Sequence, residues 1–299
     1  MNVLVTGGAG FIGSHVVDLF IKKGYNATIV DNLSNGDIKN INPKAKFYHT
    51  DILDNLDMIF KKEKFNAIIH NAALIGVTKS MVKPKLYQKV NVRGTINLLE
   101  CCRKFDIKKF IYASSCAVYG IPEYLPCDEK HPKNPINPYG ASKVEAENNI
   151  IDYSNKYGIS YTILRYSNVY GPRQNPLNGG VVAKFISIIM GNKNPIIFGD
   201  GKQTRDFLFV EDAASANILA LKAKNSIFNI GSGNPTSIND LCKEIGESLN
   251  KKAAISRSKP LKEIKNTYLN VLLAKKMLKW SPKTELREGI KKTYLNFSS

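Results

Sequence analysis

A phenol and an amine stand four residues apart in Tyr139-Gly140-Ala141-Ser142-Lys143, a spacing that puts both side chains on one face of a helix. Asn137-Pro138 precedes them and suits a helix start. A free tyrosine has a pKa of about 10 and is a poor base at neutral pH, but a neighbouring ammonium favours the phenolate. Upstream, Ser114 and Ser115 leave the end of an apolar run, where hydroxyls can hydrogen-bond a substrate oxygen. Each feature alone has a plainer reading: a surface i,i+4 pair for the first, a turn or helix cap for the second.

The N-terminal stretch offers a place for a phosphate. Asn2 to Val5 is apolar-rich and runs into Thr6-Gly7-Gly8-Ala9-Gly10-Phe11-Ile12-Gly13, after which Phe11, Val16, Leu19 and Phe20 recur at helical spacing. A strand entering a helix through glycines presents free N–H groups and the positive dipole end to an anion. Gly7, Gly10 and Gly13 allow the turn and let a pyrophosphate approach with no Cβ in the way. Asp31 closes the next strand, at the distance where a carboxylate accepts hydrogen bonds from an adenosine ribose. The same carboxylate would repel the 2′-phosphate of NADP, and no basic residue follows in Asp31-Asn32-Leu33-Ser34-Asn35-Gly36, so the expected cofactor is NAD. Beside a dinucleotide, the serines and the Tyr/Lys pair point to alcohol–ketone redox chemistry. Bringing Tyr139 to a pKa of roughly 7 takes about 4 kcal/mol, within reach of Lys143 plus a positive nicotinamide ring.

These residues need a scaffold of alternating strands and helices. Strand-like runs fall at 3–6, 27–30, 46–49, 67–70, 109–113 and 161–166, with helical patterns near 13–23, 55–62, 87–103 and 139–157. The alternation predicts an α/β fold, a Rossmann-type doubly wound parallel sheet whose ligands bind at the carboxyl ends of the strands. Beyond Pro172 the pattern loosens into short strands at 196–198, 207–210 and 228–230, with helices near 181–190, 211–223 and 237–249. We expect residues 1–170 to form the dinucleotide-binding domain and 171–299 a smaller α/β substrate lobe, partly interleaved with the first.

Composition narrows the class. At 299 residues and 43% hydrophobic, the chain can bury a large core. Its longest apolar stretches fall far short of a membrane span, and the first strand begins at Asn2 with no leader-like segment before it. Five cysteines form an odd set without a C-x-x-C pair, which argues against metal and disulfide frameworks and fits a reducing cytoplasm. The net charge is +18, and lysines occur as short doublets such as Lys22-Lys23, Lys61-Lys62, Lys108-Lys109 and Lys251-Lys252, spread over predicted helices as solvated faces. Nucleic acid is therefore not an expected partner, while an anionic nucleotide is.

Ordered motifs give the chain a family likeness. TGGAGFIGSH, DNLSNG, Asp51-Ile52, HNAA, VNVRGT, SSCAVYG, YGASK, LRYSNVYGPRQNP and FGDGKQTRDFLFVEDAA make it resemble an extended short-chain dehydrogenase/reductase of the NAD-dependent sugar epimerase/dehydratase family. It is most similar to the 4-epimerase branch acting on UDP-hexoses. The resemblance implies that Phe11 and Ile12 line the pyrophosphate, that Asp31, Asn32, Leu33, Ser34, Asn35 and Gly36 hold the adenosine ribose, and that Asp51 and Ile52 flank the adenine. It implies that Asn71, Ala72, Ala73, Leu74 and Ile75 border the cofactor and that Asn91 supports the active-site helix beside it. Ser115 becomes the substrate-polarising hydroxyl, Tyr139 the base, and Lys143 its partner on the nicotinamide ribose, with Ser167 near the nicotinamide. On the substrate side the resemblance implies Asn168 and Val181, Arg205 on the diphosphate, Phe207 by the uracil ring, and Thr267 as a gate beside the sugar's 2-position. A homodimer through helices near 87–103 and 139–157 is implied as well.

The likeness also implies the activity: C4 inversion of a UDP-hexose, glucose or galactose with N-acetylated forms, through a 4-keto sugar. The alternatives are another NAD-dependent nucleotide-sugar oxidoreductase or dehydratase, and a non-enzymatic NAD-binding sensor. Cys116-Ala117 stands where dehydratases of the family carry acid, which lowers that alternative. The family's Arg-x-Gly-Asp/Glu stretch reads Pro260-Leu261-Lys262-Glu263 here, so Arg257 or Lys259 would have to replace a diphosphate-binding arginine. Among isolated residues, His70 reads as a packed core histidine, His131 as exposed, Cys116 as space-filling, and Trp280 as a packing residue.

Overall fold

The computed structural model describes residues 1–177, 179–251, 255–261 and 263–298. Seven parallel strands form the central sheet: β1 (Asn2–Thr6), β2 (Asn26–Asp31), β3 (Lys46–His49), β4 (Ala67–His70), β5 (Lys109–Ser115), β6 (Ser160–Tyr166) and β10 (Ser226–Ile230). Their spatial order is β10-β6-β5-β4-β1-β2-β3. The order reverses between β1 and β4, which leaves a crevice at the carboxyl ends of those strands.

The period of two along each strand feeds two cores. Val3, Val5, Ile29, Ile69 and Ile111 face one side, against Val16, Val17 and Phe20 of α1 (Phe11–Lys22) and the alanines of α8 (Val210–Ala220). Leu4, Val30, Ile68, Phe110 and Tyr112 face the other, against α2 (Asp57–Glu63), α5 (Gly94–Lys104) and α6 (Pro138–Tyr157). Strands buried on both faces explain the nearly unbroken apolar runs. Phe20 is fully buried in the first of these cores, and truncating it to Ala is expected to cost about 3–5 kcal/mol. Trp280 closes the same core, its Nε1 donating to the Asp212 carbonyl and to Ser215 Oγ.

Both β10, the last strand of this sheet, and α8, packed against it, come from beyond residue 170. The remaining C-terminal elements build a smaller body. β7 (Asn168–Tyr170), β9 (Thr204–Phe209) and β11 (Pro235–Ser237) form one sheet in the order β11-β9-β7, and β8 (Ile196–Phe198) pairs with β12 (Ser256–Ser258). These pack with α7 (Val181–Met190), α9 (Ile238–Ser248) and α10 (Leu286–Ser298) around Phe185, Phe209, Leu241 and Ile290. Among the described residues no helix is long and apolar enough to cross a membrane.

Two expectations are corrected. His131 is buried, because Nε2 accepts from the Glu123 amide while Nδ1 lies 2.9 Å from the Pro132 carbonyl and its ring packs on Tyr124. Nor do all the lysine doublets lie on helices. Lys109 opens β5 and tucks its ammonium against Thr162 Oγ1 and the Ala223 carbonyl, where desolvation pushes its pKa down to about 8. Lys252 lies outside the described residues.

Candidate active site

The glycine turn after β1 is tight enough to exclude side chains. Gly7 sits at φ +69°, and a Cβ there would fall 2.7 Å from the Ala72 amide; one on Gly13 would fall 2.1 Å from the Gly7 carbonyl. Gly10 caps α1 with no side-chain bond, so the amides of the first turn, Phe11 and Ile12 among them, remain for an anion. Asp31 is buried and holds this turn: Oδ2 accepts from the Ala9 amide at 3.0 Å and Oδ1 from Leu33 at 2.8 Å. Asn32 donates to Asp51 Oδ2, Ser34 and Asn35 are exposed, and Gly36 packs against Ala9 and Asp31. Ile52 is buried beneath Gly94, where a side chain on the glycine would strike it.

The end of β4 forms the opposite wall. His70 is buried between Thr6 Oγ1 at 2.7 Å and Thr95 Oγ1 at 2.9 Å; desolvation pushes its pKa down to about 3, with the Lys143 charge adding to the effect. It is a core histidine, as expected. Asn91 spends its amide on the chain: Oδ1 accepts from Leu74 N, and Nδ2 donates to the Leu74 carbonyl and to Ser142 Oγ. It clamps the 71–75 loop to α6. Ala72 and Ala73 are half-buried in that loop, and Ile75 is exposed.

Asn71 and Ser167 end two strands at this edge, and their buried polar atoms have no partner: both amide atoms of Asn71, and Oγ of Ser167. An unsatisfied buried polar group costs about 1–3 kcal/mol. A polar ligand across the strand ends would remove that cost. The orphaned groups, the uncapped helix start and the close glycine turn together fit a dinucleotide.

Ser115, Tyr139 and Lys143 meet where β5 ends against α6. Asn137 caps this helix by accepting from the Gly140 amide, and Pro138 opens it, so Tyr139 and Lys143 lie in its first two turns. Lys143 donates to the Ala113 carbonyl at 2.7 Å and lies 6.0 Å from the Tyr139 ring centroid and 4.7 Å from that of Tyr112. Desolvation pushes Lys143 down to about 7, against the pull of Glu147. Desolvation pushes Tyr139 up to about 12, with the Ser115 hydroxyl working the other way. The chain alone therefore does not bring Tyr139 near 7. Lys143 is bonded to a carbonyl, and burial is the largest influence on the phenol. Cys116, next to Ser115, is pushed up to about 12 by burial and is no nucleophile at neutral pH.

β9 comes near this centre, where the charges of its Asp206 and Arg205 act on Cys116. Arg205 Nη2 pairs with Glu263 at 2.6 Å, and Nη1 donates to the carbonyls of Thr204 and Lys265. Asn168 is exposed and donates to the Asp206 carbonyl, Val181 opens α7 half-buried, and Thr267 donates its amide to the Thr204 carbonyl. Phe207 is only 6% exposed and packs in the core of this lobe, so it offers little more than an edge to a ligand. Arg257 is held away by the β8–β12 pair, donating to the Gly199 carbonyl and Asn239 Oδ1; Lys259 is exposed, and Lys262 lies outside the described residues. Sequence reasoning missed Asp206. Its buried carboxylate accepts from the amides of Ser232, Gly233 and Leu269 and from Ser232 Oγ, tying together the segments around Arg205. Only its place between Arg205 and Phe207 hinted at such a role.

A model of the NAD dependent epimerase/dehydratase family matches residues 3–231, and the chain belongs to that family. It is 49% identical to a Methanocaldococcus jannaschii protein named as a candidate UDP-glucose 4-epimerase, over 97% of this chain and 96% of that one. Among solved structures, the UDP-glucose 4-epimerase of Thermotoga maritima with UDP-glucose superposes with a TM-score of 0.97 at 40% identity, covering 100% and 99% of the two chains. The UDP-N-acetylglucosamine 4-epimerase of Methanobrevibacter ruminantium, in complex with UDP-N-acetylmuramic acid, gives 0.95 at 34% identity, covering 99% and 98%.

Proposed function

We propose that this chain is an NAD-dependent UDP-sugar 4-epimerase, an isomerase that interconverts the C4 epimers of a UDP-hexose. The observation that carries the reading is the convergence of Ser115, Tyr139 and Lys143 where β5 meets α6, beside the strand ends that lead into the orphaned Asn71 and Ser167. NAD held here would supply a two-electron acceptor that takes hydride from C4 and returns it, with no net redox. The residues around it position groups and move a proton.

Tyr139 takes the proton of the C4 hydroxyl while Ser115 hydrogen-bonds the same oxygen. Lys143 would hold the nicotinamide ribose and stabilise the phenolate, giving up its bond to the Ala113 carbonyl. Asp31, with the 32–36 loop, takes the adenosine ribose; Asp51 and Ile52 flank the adenine; the first turn of α1 takes the pyrophosphate. Arg205 exchanges Glu263 for the diphosphate, with Asn168 beside it. Residues 1–170 hold the cofactor and most of the remainder holds substrate, in a cytoplasmic homodimer.

Incubating the NAD-loaded protein with UDP-galactose and resolving the products chromatographically tests this. UDP-glucose should form without stoichiometric NADH, and Tyr139→Phe should keep NAD while losing most turnover. A 4,6-dehydrated product, or a stoichiometric NADH signal, would favour another reaction of the family.

A further inference from the structure

One turn beyond Lys143, α6 buries a carboxylate that the chemistry above does not use. Glu147 is 0% exposed and accepts from Arg165 Nε at 3.0 Å and Nη2 at 2.7 Å, a two-point pairing with a guanidinium that is itself 2% exposed on β6. The same carboxylate accepts from Ser114 Oγ at 2.6 Å, and Lys133 lies 3.7 Å away. Arg165 continues through Nη1 to the Tyr119 hydroxyl and the Glu129 carbonyl; Tyr119 donates to Asn229 of β10, whose amide nitrogen donates to the carbonyls of Cys127 and Asn270.

Taking two charges out of water is expensive, and a buried pair is often replaceable by apolar residues without loss of stability. Stability alone is thus a weak reason for this one. Its placement is more specific: Ser114 adjoins Ser115, and Glu147 lies one helical turn from Lys143, so one carboxylate fixes the strand end and the helix face that carry the reactive groups. We propose that Glu147 and Arg165 are positioning residues for the reaction, a buried strut that locks the Ser115 strand end against the Tyr139–Lys143 face of α6.

The charge has a further consequence. Besides Glu147 and Tyr139 on its own helix, Lys143 faces the Tyr112 phenol and the Ala113 carbonyl from β5 and the neutral His70 from β4. Glu147 is the one of these that raises the Lys143 pKa. Removing it makes Lys143 lose its proton at lower pH.

This inference rests on the reading of Tyr139 and Lys143 as the catalytic pair, so its test carries a readout that needs no turnover. In the full chain, Glu147→Met with Arg165→Met removes both charges and leaves an apolar contact. We expect a melting temperature and NAD occupancy near wild type, KM for UDP-galactose within about twofold and kcat about tenfold lower (about 1.4 kcal/mol). Glu147→Gln removes the carboxylate charge alone, and in its cofactor-free form with isotope-labelled lysine, NMR titration should place the Lys143 transition at lower pH than in the wild type. Wild-type kcat in the well-folded double variant would overturn the proposal. If that variant does not fold, Ser114→Ala deletes the tether alone; an unchanged kcat there overturns it, and a severalfold loss at constant KM supports it. An unshifted Lys143 titration overturns the electrostatic part even if the wild-type protein proved inactive on UDP-galactose, the result that would instead sink the epimerase reading.

Discussion

Arg205 gives its guanidinium to Glu263 across 2.6 Å, joining β9 to the segment that follows β12. A carboxylate thus occupies the cation proposed to take the diphosphate, and substrate must displace it. The planar fork matters here, since a bidentate guanidinium grips an anion better than a point charge does. Arg205→Lys keeps the charge and loses the fork. We expect KM for UDP-galactose to rise about tenfold with kcat within about threefold, the pattern of an interaction made equally in ground and transition states. Steady-state kinetics, with calorimetric titration of UDP alongside, decide it. Unchanged KM and UDP affinity would remove Arg205 from the diphosphate site.

Burial of Lys143 predicts a stability effect of definite sign. Its pKa falls from 10.5 to about 7 in the folded chain, so the unfolded chain binds the extra proton between those values, and stability rises with pH across that window. Below about pH 7 the folded protein carries the whole cost of the buried charge. Lys143→Met should therefore raise the melting temperature of cofactor-free protein by several degrees at about pH 6, with the gain shrinking toward about pH 10. Turnover should be lost at every pH. A gain in stability independent of pH would show that packing, not charge burial, is responsible.

The parts of this fold that periodicity encodes were legible in the sequence. Val3 to Thr6, the glycine turn and Val16, Val17 and Phe20 mark β1 and α1 because the apolar period changes from two to 3.6 across the glycines. The helix at Val181–Met190 is equally clear. Strands of three residues, such as Pro235–Ser237 and Ser256–Ser258, are too short to show a period, and the second of these decides where Arg257 goes. The helical reading of 87–103 hid a local widening: Gln88–Arg93 forms π-type turns, where Asn91 reaches Leu74 and Ser142. Side-chain pairings between distant segments, Arg205 with Glu263 or Arg165 with Glu147, leave no local trace. The burial of His131 is hidden for the same reason, since its partner Glu123 sits in a loop with no regular pattern.

Assembly is testable on the outer face of α6. Ala141, Glu145, Asn148 and Asp152 are exposed at helical spacing, beside exposed Gln88, Lys89 and Arg93. A two-fold axis across this face would bring α6 and the neighbouring helix of two copies together in a four-helix arrangement. Multi-angle light scattering should find a dimer at micromolar concentration, and Ala141→Arg should shift it to monomer. A wild-type monomer with full activity would refute the proposed dimer.

The proposed substrate gate is tested at Thr267. Its amide donates to the Thr204 carbonyl at 3.2 Å, which places it across from the residue preceding Arg205, and it is half-buried. Tyr268 follows, with its carbonyl accepting from the Cys127 amide at 3.0 Å. Successive residues of an extended segment face opposite sides, so Thr267 and Tyr268 do not both border the sugar. With Thr267 at the gate, a short side chain leaves room for an N-acetyl group at the sugar's 2-position, and its hydroxyl can bond the amide. We expect the wild-type protein to epimerise both UDP-glucose and UDP-N-acetylglucosamine. Thr267→Tyr should then cut turnover of the N-acetylated sugar by about tenfold or more while leaving UDP-glucose within about twofold, because added bulk acts only where the larger group must fit. A wild-type protein that handles UDP-galactose and ignores every N-acetylated substrate would transfer the gate to Tyr268.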